Sequence, residues 1–321
     1  MRWSAAAGAV LVVGACSNPS GDGNVERVAI PAGSTMRSVA DSLEAHELIG
    51  SRRWFLLQAR LQGVDRAIKP GVYEFLQGTS TGSLLDQLRR GDAVRFRVTL
   101  PEGGTIYDLA RSAEKHLGIP RDSLLAAARD PALRSRFQIS GPSVEGWLLP
   151  ETFDFGGMVS ADQVLARFLE ARRAAWDTSW TRRAGVEGLD ERSVLTLASI
   201  VEAEALDPAE RATIAAVYRN RLRIGMALQA DPTIQYGYLV AQGARRPRLF
   251  NTDYEFASPW NTYLAPGLPP GPIGNPTGEA IEAVLSPAPV PYLYFVADSS
   301  GRHRFSTTYA EHLQAIREIR E

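Results

Sequence analysis

The run SVLTLASIV, Ser193 to Val201, is apolar or small on nearly every side of a helix. A helix that is hydrophobic all round must be enclosed by other protein, so the fold has to be built around it. Two glutamates, Glu202 and Glu204, follow at once, where the helix has to emerge. They stand two positions apart, roughly 200° round a helix, so they point to opposite sides and do not form a facing carboxylate pair. Glu202 follows the small residues Ala198 and Ser199, which leave room for a substrate beside its carboxyl. Glu204 lies over Ile200 and Val201 and suits a supporting role. A glutamate desolvated at such a helix end is expected to have a raised pKa, as a general acid for glycosidic-bond cleavage requires. The alternative is a carboxylate satisfied by a buried arginine or by backbone donors.

Other chemistries find little support. His46, His116, His303 and His312 are scattered, Cys16 is the single cysteine, and neither a Walker lysine nor a G-x-S-x-G elbow occurs. No metal site, cofactor or cysteine nucleophile is therefore expected. Lys+Arg 35 against Asp+Glu 36 gives no field that would capture nucleic acid. The 321 residues suffice for two or more domains.

Residues 1–15 read as an export signal: Arg2, an uncharged run from Trp3 to Ala15, then polar residues. The run is shorter than the ~20 residues that span a bilayer. Val13-Gly14-Ala15 before Cys16 resembles a bacterial lipobox, whose cysteine is lipidated; a plain cleaved signal is the alternative. Residues 16–24 then form a flexible tether.

Two segments look alike, VAIPAGSTMRSVADSL from Val28 and VTLPEGGTIYDLARSA from Val98. Each reads as a strand, a turn, and a helix capped by Thr35 or Thr105. Between them lie the strand Val72–Phe75 and a helix with Leu84, Leu85 and Leu88 on one face, stopped by Gly91. This region either packs or binds glycan. Further on, SVEGWLLPETFD, with Glu145 and Trp147, suits a cleft-lining loop. Gln163 to Trp180 reads as one helix, and Asp207-Pro208-Ala209-Glu210, with an N-cap, a proline at N1 and a glutamate at N3 close to a capping box, as the start of another that runs to Gly225. Most arginines of that last helix belong to a solvated face, with one free to steer Glu202 or Glu204. Asp231-Pro232 opens a helical turn, Asn261 to Pro276 is too rich in proline and glycine for a regular element, and PYLYFVADSSGRHRFS is a β-hairpin. The fold class is α+β: a small β-α module, then a mixed α/β domain with a C-terminal hairpin.

The runs ASIVEAEA, VYRNRLRIGMALQADPTIQYG, WNTYLAPGLPPGPIGNP and SPAPVPYLYFVADSSGRHRFSTTYAEH together resemble the endolytic murein transglycosylase, or YceG-like, family. EGWLLPETF and GVYEF extend the likeness over nearly all of the chain. The resemblance implies a LysM-like module over residues 25–96 and a catalytic domain over 97–321. It implies cleavage of the MurNAc-β-1,4-GlcNAc bond of nascent peptidoglycan without water, giving 1,6-anhydroMurNAc ends, with Glu202 catalytic. Gln229, Asp231, Asn261 and Tyr263 fall in family motifs and are assigned to holding substrate, with Glu145 and Trp147 as weaker candidates. The competing reading has Asp231 capping a helix and Asn261 ordering the Pro-rich loop. Peptidoglycan strands and peptidoglycan synthases are the implied partners, at the envelope and facing the periplasm. Members are usually tied to the inner membrane by a transmembrane helix, which the short run ending at Cys16 does not match; a lipid anchor would replace it. A hydrolase with a second carboxylate ~5–9.5 Å from Glu202, drawn from Glu145, Glu151, Asp154 or Asp231, is the rival enzyme. A non-catalytic glycan-binding protein is the rival without chemistry.

Overall fold

The computed structural model describes residues 24–64 and 68–320, so the export signal and Cys16 lie outside the described residues. The chain divides into two compact units, one running to Phe96 and including Phe155–Met158, the other made of Arg97–Asp154 and the residues from Val159 onward.

The first unit contains β1 (Val25–Ile30), α1 (Met36–Ala45), α2 (Arg52–Leu61), β2 (Gly71–Leu76) and α3 (Thr81–Arg90). β1 and β2 pair antiparallel from Val25↔Leu76 to Ile30↔Gly71. Alternation along β1 and β2 sends Val28, Ile30, Tyr73 and Phe75 into a core with Val39, Leu43 and Phe55. Leu84, Leu85 and Leu88 of α3 close it, and Gly91 ends that helix at φ +75, a left-handed cap that glycine adopts without strain. Thr35 caps α1 with a full capping box.

The remaining elements are β3 (Arg95–Thr99), α4 (Ile106–Leu117), α5 (Arg121–Ala127), α6 (Pro131–Arg136), β4 (Thr152–Gly156), α7 (Ala161–Ala175), α8 (Thr178–Val186), α9 (Glu191–Glu204), α10 (Arg211–Arg223), α11 (Asp231–Gln242), α12 (Gly278–Leu285), β5 (Tyr294–Ala297), β6 (His303–Ser306) and α13 (Tyr309–Arg320). β3 pairs with β4 and β5 with β6, so the class is α+β, with hairpins near both ends and a helical core between them. α9 is the centre of that core. Every residue from Val194 to Val201 is buried, and α8, α10, α11 and α12 pack around it. The all-round apolar pattern therefore has its physical cause in four neighbouring helices.

Three local expectations are corrected. The helix expected over Gln163 to Trp180 is two: Trp176 turns extended, and the Asp177 side chain accepts the Ser179 N–H to start α8. The helix after Asp207 begins later, because Pro208–Glu210 is a 3-10 turn and α10 starts at Arg211. Glu210 does not complete a capping box; its carboxylate is taken by the backbone and ring nitrogens of His303 on β6.

Candidate active site

Glu202 lies in the last turn of α9, where the helix leaves its apolar surroundings. Its side chain is only 6% exposed and is held on both oxygens. Arg211 donates to Oε1 at 2.6 Å from the first turn of α10. Thr277 donates twice to Oε2, from its backbone N–H at 3.0 Å and its hydroxyl at 2.5 Å. Thr277 is also the N-cap of α12, so the carboxylate sits where the positive end of that helix dipole points. The apolar setting expected for Glu202 is thus a polar one, built by partners remote in sequence, and all three donors suit a carboxylate. The space foreseen beside Ala198 and Ser199 is filled as well: the Ser199 hydroxyl accepts the Ile273 N–H at 3.0 Å and donates to Thr196.

The Pro-rich segment Asn261 to Pro276 carries no regular element and locks against the turn Pro101–Gly104. Gly103 donates to the Asn275 carbonyl at 3.1 Å, and the Asn275 N–H and Nδ2 both reach the Gly104 carbonyl, at 2.8 and 2.9 Å. A β-carbon on Gly274 would come within 2.5 Å of the Gly103 carbonyl oxygen, and one on Gly103 within 3.2 Å of the Glu202 Cγ. Buried Arg172 ties Pro276 from behind, donating to its carbonyl and to that of Leu148.

Glu202 opens onto a groove of about 780 Å³, lined also by Glu102, Gly103, Glu204, Asp231 and Tyr254, with Arg245, Arg246 and Arg248. Glu204 lines it too, so two positions of separation do not keep the pair out of one cleft. Their carboxyls nonetheless bind different partners, since Glu204 accepts from Tyr218 at 3.0 Å. Burial, opposed by the Tyr218 hydrogen bond, pushes Glu204 up to about 7. Asp231 accepts the hydroxyls of Tyr263 at 2.7 Å and Tyr254 at 3.3 Å. It does not cap α11, whose N-cap is Ala230 without a side-chain bond. Burial, with the bond to Asp231, raises the Tyr263 phenol above its ordinary range.

Gln229 lines an adjoining pocket with Asp231 and Tyr263 and holds the left-handed φ of +51. Asn261 is 3% exposed; its amide donates to the carbonyls of Tyr254 and Phe256 while its oxygen accepts the Tyr263 N–H. It orders the loop that presents Tyr263. Glu145 does not line the groove: it is buried, bound by the Ile106 N–H, Tyr236 and Asn275, and burial pushes it up to about 8. Trp147 faces a separate cavity with Arg172 and Trp176. Of the second carboxylates considered for hydrolysis, Asp231 lines the groove, whereas Glu151 and Asp154 are exposed.

Sequence reasoning left one arginine of α10 free to steer a glutamate, and that residue is Arg211. Arg221, counted with the solvated face, is instead buried and donates to the carbonyls of Leu228 and Leu293. Thr277, Gly103 and the arginines of the rim were missed. The single available signal was the second strand–turn–helix segment from Val98, and its likeness to the first left packing and glycan binding both open.

Comparison with known proteins identifies relatives of the chain. The model of the YceG-like family matches residues 28–318. An endolytic murein transglycosylase of Bacillus subtilis (strain 168) is 28% identical over 301 residues, covering 89% of this chain and 82% of that protein. One from Streptococcus pneumoniae serotype 2 (strain D39) is 27% identical over 319 residues, and there the match spans 91% of this chain but 58% of the relative. The crystal structure of a YceG-like protein from Listeria monocytogenes superposes with a TM-score of 0.63 at 29% identity, covering 91% of this chain and 99% of that one. As the family match reaches from β1 into α13, the chain belongs to the YceG-like family of enzymes.

Proposed function

We propose that this enzyme is an endolytic lytic transglycosylase that cuts the MurNAc-β-1,4-GlcNAc bond inside peptidoglycan strands, ending their elongation. The observation that carries the reading is the placement of Glu202: a carboxyl fixed by Arg211 and Thr277 at the end of a buried helix, opening on a groove of about 780 Å³. Glu202 in its acid form donates its proton to the bridging oxygen as the C1–O4 bond breaks. The resulting carboxylate then takes the proton of the same MurNAc residue's 6-hydroxyl as O6 bonds to C1. No water is consumed, and a 1,6-anhydro end forms. Since the nucleophile belongs to the substrate, one carboxyl serves both steps, and intramolecular attack carries a high effective concentration. Gln229, Asp231 and Tyr263 are positioned to hold the strand, and Asn261 supports them through the loop.

The module over residues 25–96 is proposed to be LysM-like and to bind glycan, with residues 97–321 catalytic. Cys16 is proposed to carry a lipid that keeps the enzyme on a membrane at the periplasmic side, beside peptidoglycan synthases. No helix among the described residues is long and apolar enough to cross a bilayer. Cys16→Ala should then release the protein from the membrane fraction; unchanged fractionation would remove the anchor.

Hydrolysis is the second reading, favoured by Asp231 and Glu204 in the same groove. Mass spectrometry of digested strands separates the two. Anhydro ends, one water lighter than reducing ends, are expected from wild type, and Glu202→Gln should abolish digestion with the fold intact. Mainly reducing ends would establish hydrolysis, and turnover by folded Glu202→Gln would remove Glu202 from the chemistry.

A further inference from the structure

Glu204 and Asp231 also form one side of a second pocket of about 300 Å³, whose far wall is the C-terminal hairpin and the start of α13. Such a volume is at the small end of ligand pockets and suits a sugar residue. The pocket is a built one. Arg221, buried beneath it, donates to the Leu228 carbonyl at 2.6 Å and to the Leu293 carbonyl at 2.7 Å, which fixes the Gln229 segment and β5 to each other. Its guanidinium lies 5.4 Å from the Tyr294 ring centroid. Tyr294 stacks on His312 at 5.3 Å with the rings 22° apart, and Tyr309 lies 5.7 Å away, 59% exposed. Flat, partly exposed rings beside polar groups are what a sugar needs, since its C–H face packs on an aromatic surface while its hydroxyls hydrogen-bond at the edge.

Two further features point to a ligand. Gln229 holds a left-handed backbone at φ +51, unusual for a residue with a side chain, and strain of this kind collects at binding sites. The Nδ1 of His312 is buried and has no hydrogen-bond partner among the described residues, a cost that a ligand group can relieve. Burial and nearby Arg221 hold this imidazole below its ordinary range, so near neutral pH it is uncharged and keeps one accepting nitrogen.

We propose that the pocket formed by Gln229, Tyr263, Tyr294, Tyr309 and His312 is a remote subsite that binds a sugar residue of the same glycan strand away from the bond being cut. The inference rests on the reading of the groove as a glycan site. It gives the enzyme a hold on the interior of a chain, because a strand must extend past Glu204 to reach Tyr309.

The test uses the full chain carrying Glu202→Gln, which binds without turnover, and peptide-free glycan strands prepared by amidase digestion and separated by length, with affinity read by calorimetry. The parent should bind more tightly as strands lengthen. Adding Tyr309→Ala with His312→Ala should weaken long strands by about 3- to 10-fold, the scale of an aromatic contact, and remove the length dependence, whereas Tyr309→Phe should keep both. Long strands that bind the folded double variant as tightly as the parent would overturn the subsite. So would an equal loss for the shortest and longest strands, since that locates the effect at Glu202. Product chemistry plays no part in these affinities, so failure of the lytic reading appears only in the digests of active enzyme.

Discussion

Thr277 does three jobs with two groups. Its N–H and hydroxyl both donate to the Glu202 Oε2, while the hydroxyl oxygen accepts the Ala280 N–H that starts α12. Valine at this position keeps the shape and the N–H but loses the hydroxyl. Thr277→Val should therefore cost about 1 kcal/mol as a lost N-cap and lower kcat about 10-fold or more through a less firmly oriented carboxyl. Serine keeps every bond, so Thr277→Ser should restore both values. Thermal melts and strand-digestion rates on the same preparations check this, and a Thr277→Val enzyme with normal kcat would show that the hydroxyl serves the helix alone. Glu202 stood out in the sequence as a candidate because a carboxylate after an apolar helix is a local anomaly. Its partners were not, since Thr277 lies 75 positions away and competes with many other threonines for such a role.

At the scale of elements, the site depends on one irregular loop held to one turn. The composition of Asn261 to Pro276 announced that no helix or strand would form, and none does. That the loop would lock onto Pro101–Gly104 was not legible, because two of the three bonds, those from the Gly103 and Asn275 N–H groups, run between backbone groups that every residue has. Capping was readable where a side chain does it: Thr35 and Thr105 were expected as N-caps and are. It failed where two signals overlapped, as at Trp176-Asp177, where apolar pairs at helical spacing ran up to a residue able to start a new helix. The lock gives a sharp prediction. Gly274→Ala places a carbon 2.5 Å from the Gly103 carbonyl oxygen, a backbone atom, so the turn must move, and Gly103 already lies against Glu202. Activity should fall about 100-fold, as for a misplacement near 1 Å, with the melting temperature lowered by several degrees. Unchanged activity in a destabilised Gly274→Ala protein would mean that the turn does not position Glu202.

Across the whole molecule, buried carboxyls make stability depend on pH in a direction opposite to ordinary acid denaturation. Glu145 is pushed up to about 8 and Glu204 to about 7, each chiefly by burial, and burial raises Glu191 as well. In the unfolded chain a glutamate titrates near 4.3. Between that value and the folded one, the native state holds protons that the unfolded state has lost, so stability falls as pH rises. The contribution is complete below about pH 4.3 and is lost as pH passes about 7 for Glu204 and about 8 for Glu145. His312 works the other way in part of this window, since its lowered pKa favours the neutral form in the fold. Comparing a variant with wild type cancels that term. Glu145→Gln can still accept the Ile106 N–H but carries no proton to lose, so its melting temperature should change less between pH 5 and pH 8.5 than that of wild type, with the two curves diverging by about 5 °C or more. Glu145 also joins α4, α11 and the Asn275 loop through Ile106, Tyr236 and Asn275, so its ionisation at high pH loads the same lock that holds Glu202. Wild type should consequently lose activity on the alkaline side before it unfolds, and Glu145→Gln should retain it there. Parallel pH curves of melting temperature for the two proteins would show that Glu145 is ionised in the fold throughout, and would remove the carboxyl from any part in the pH response.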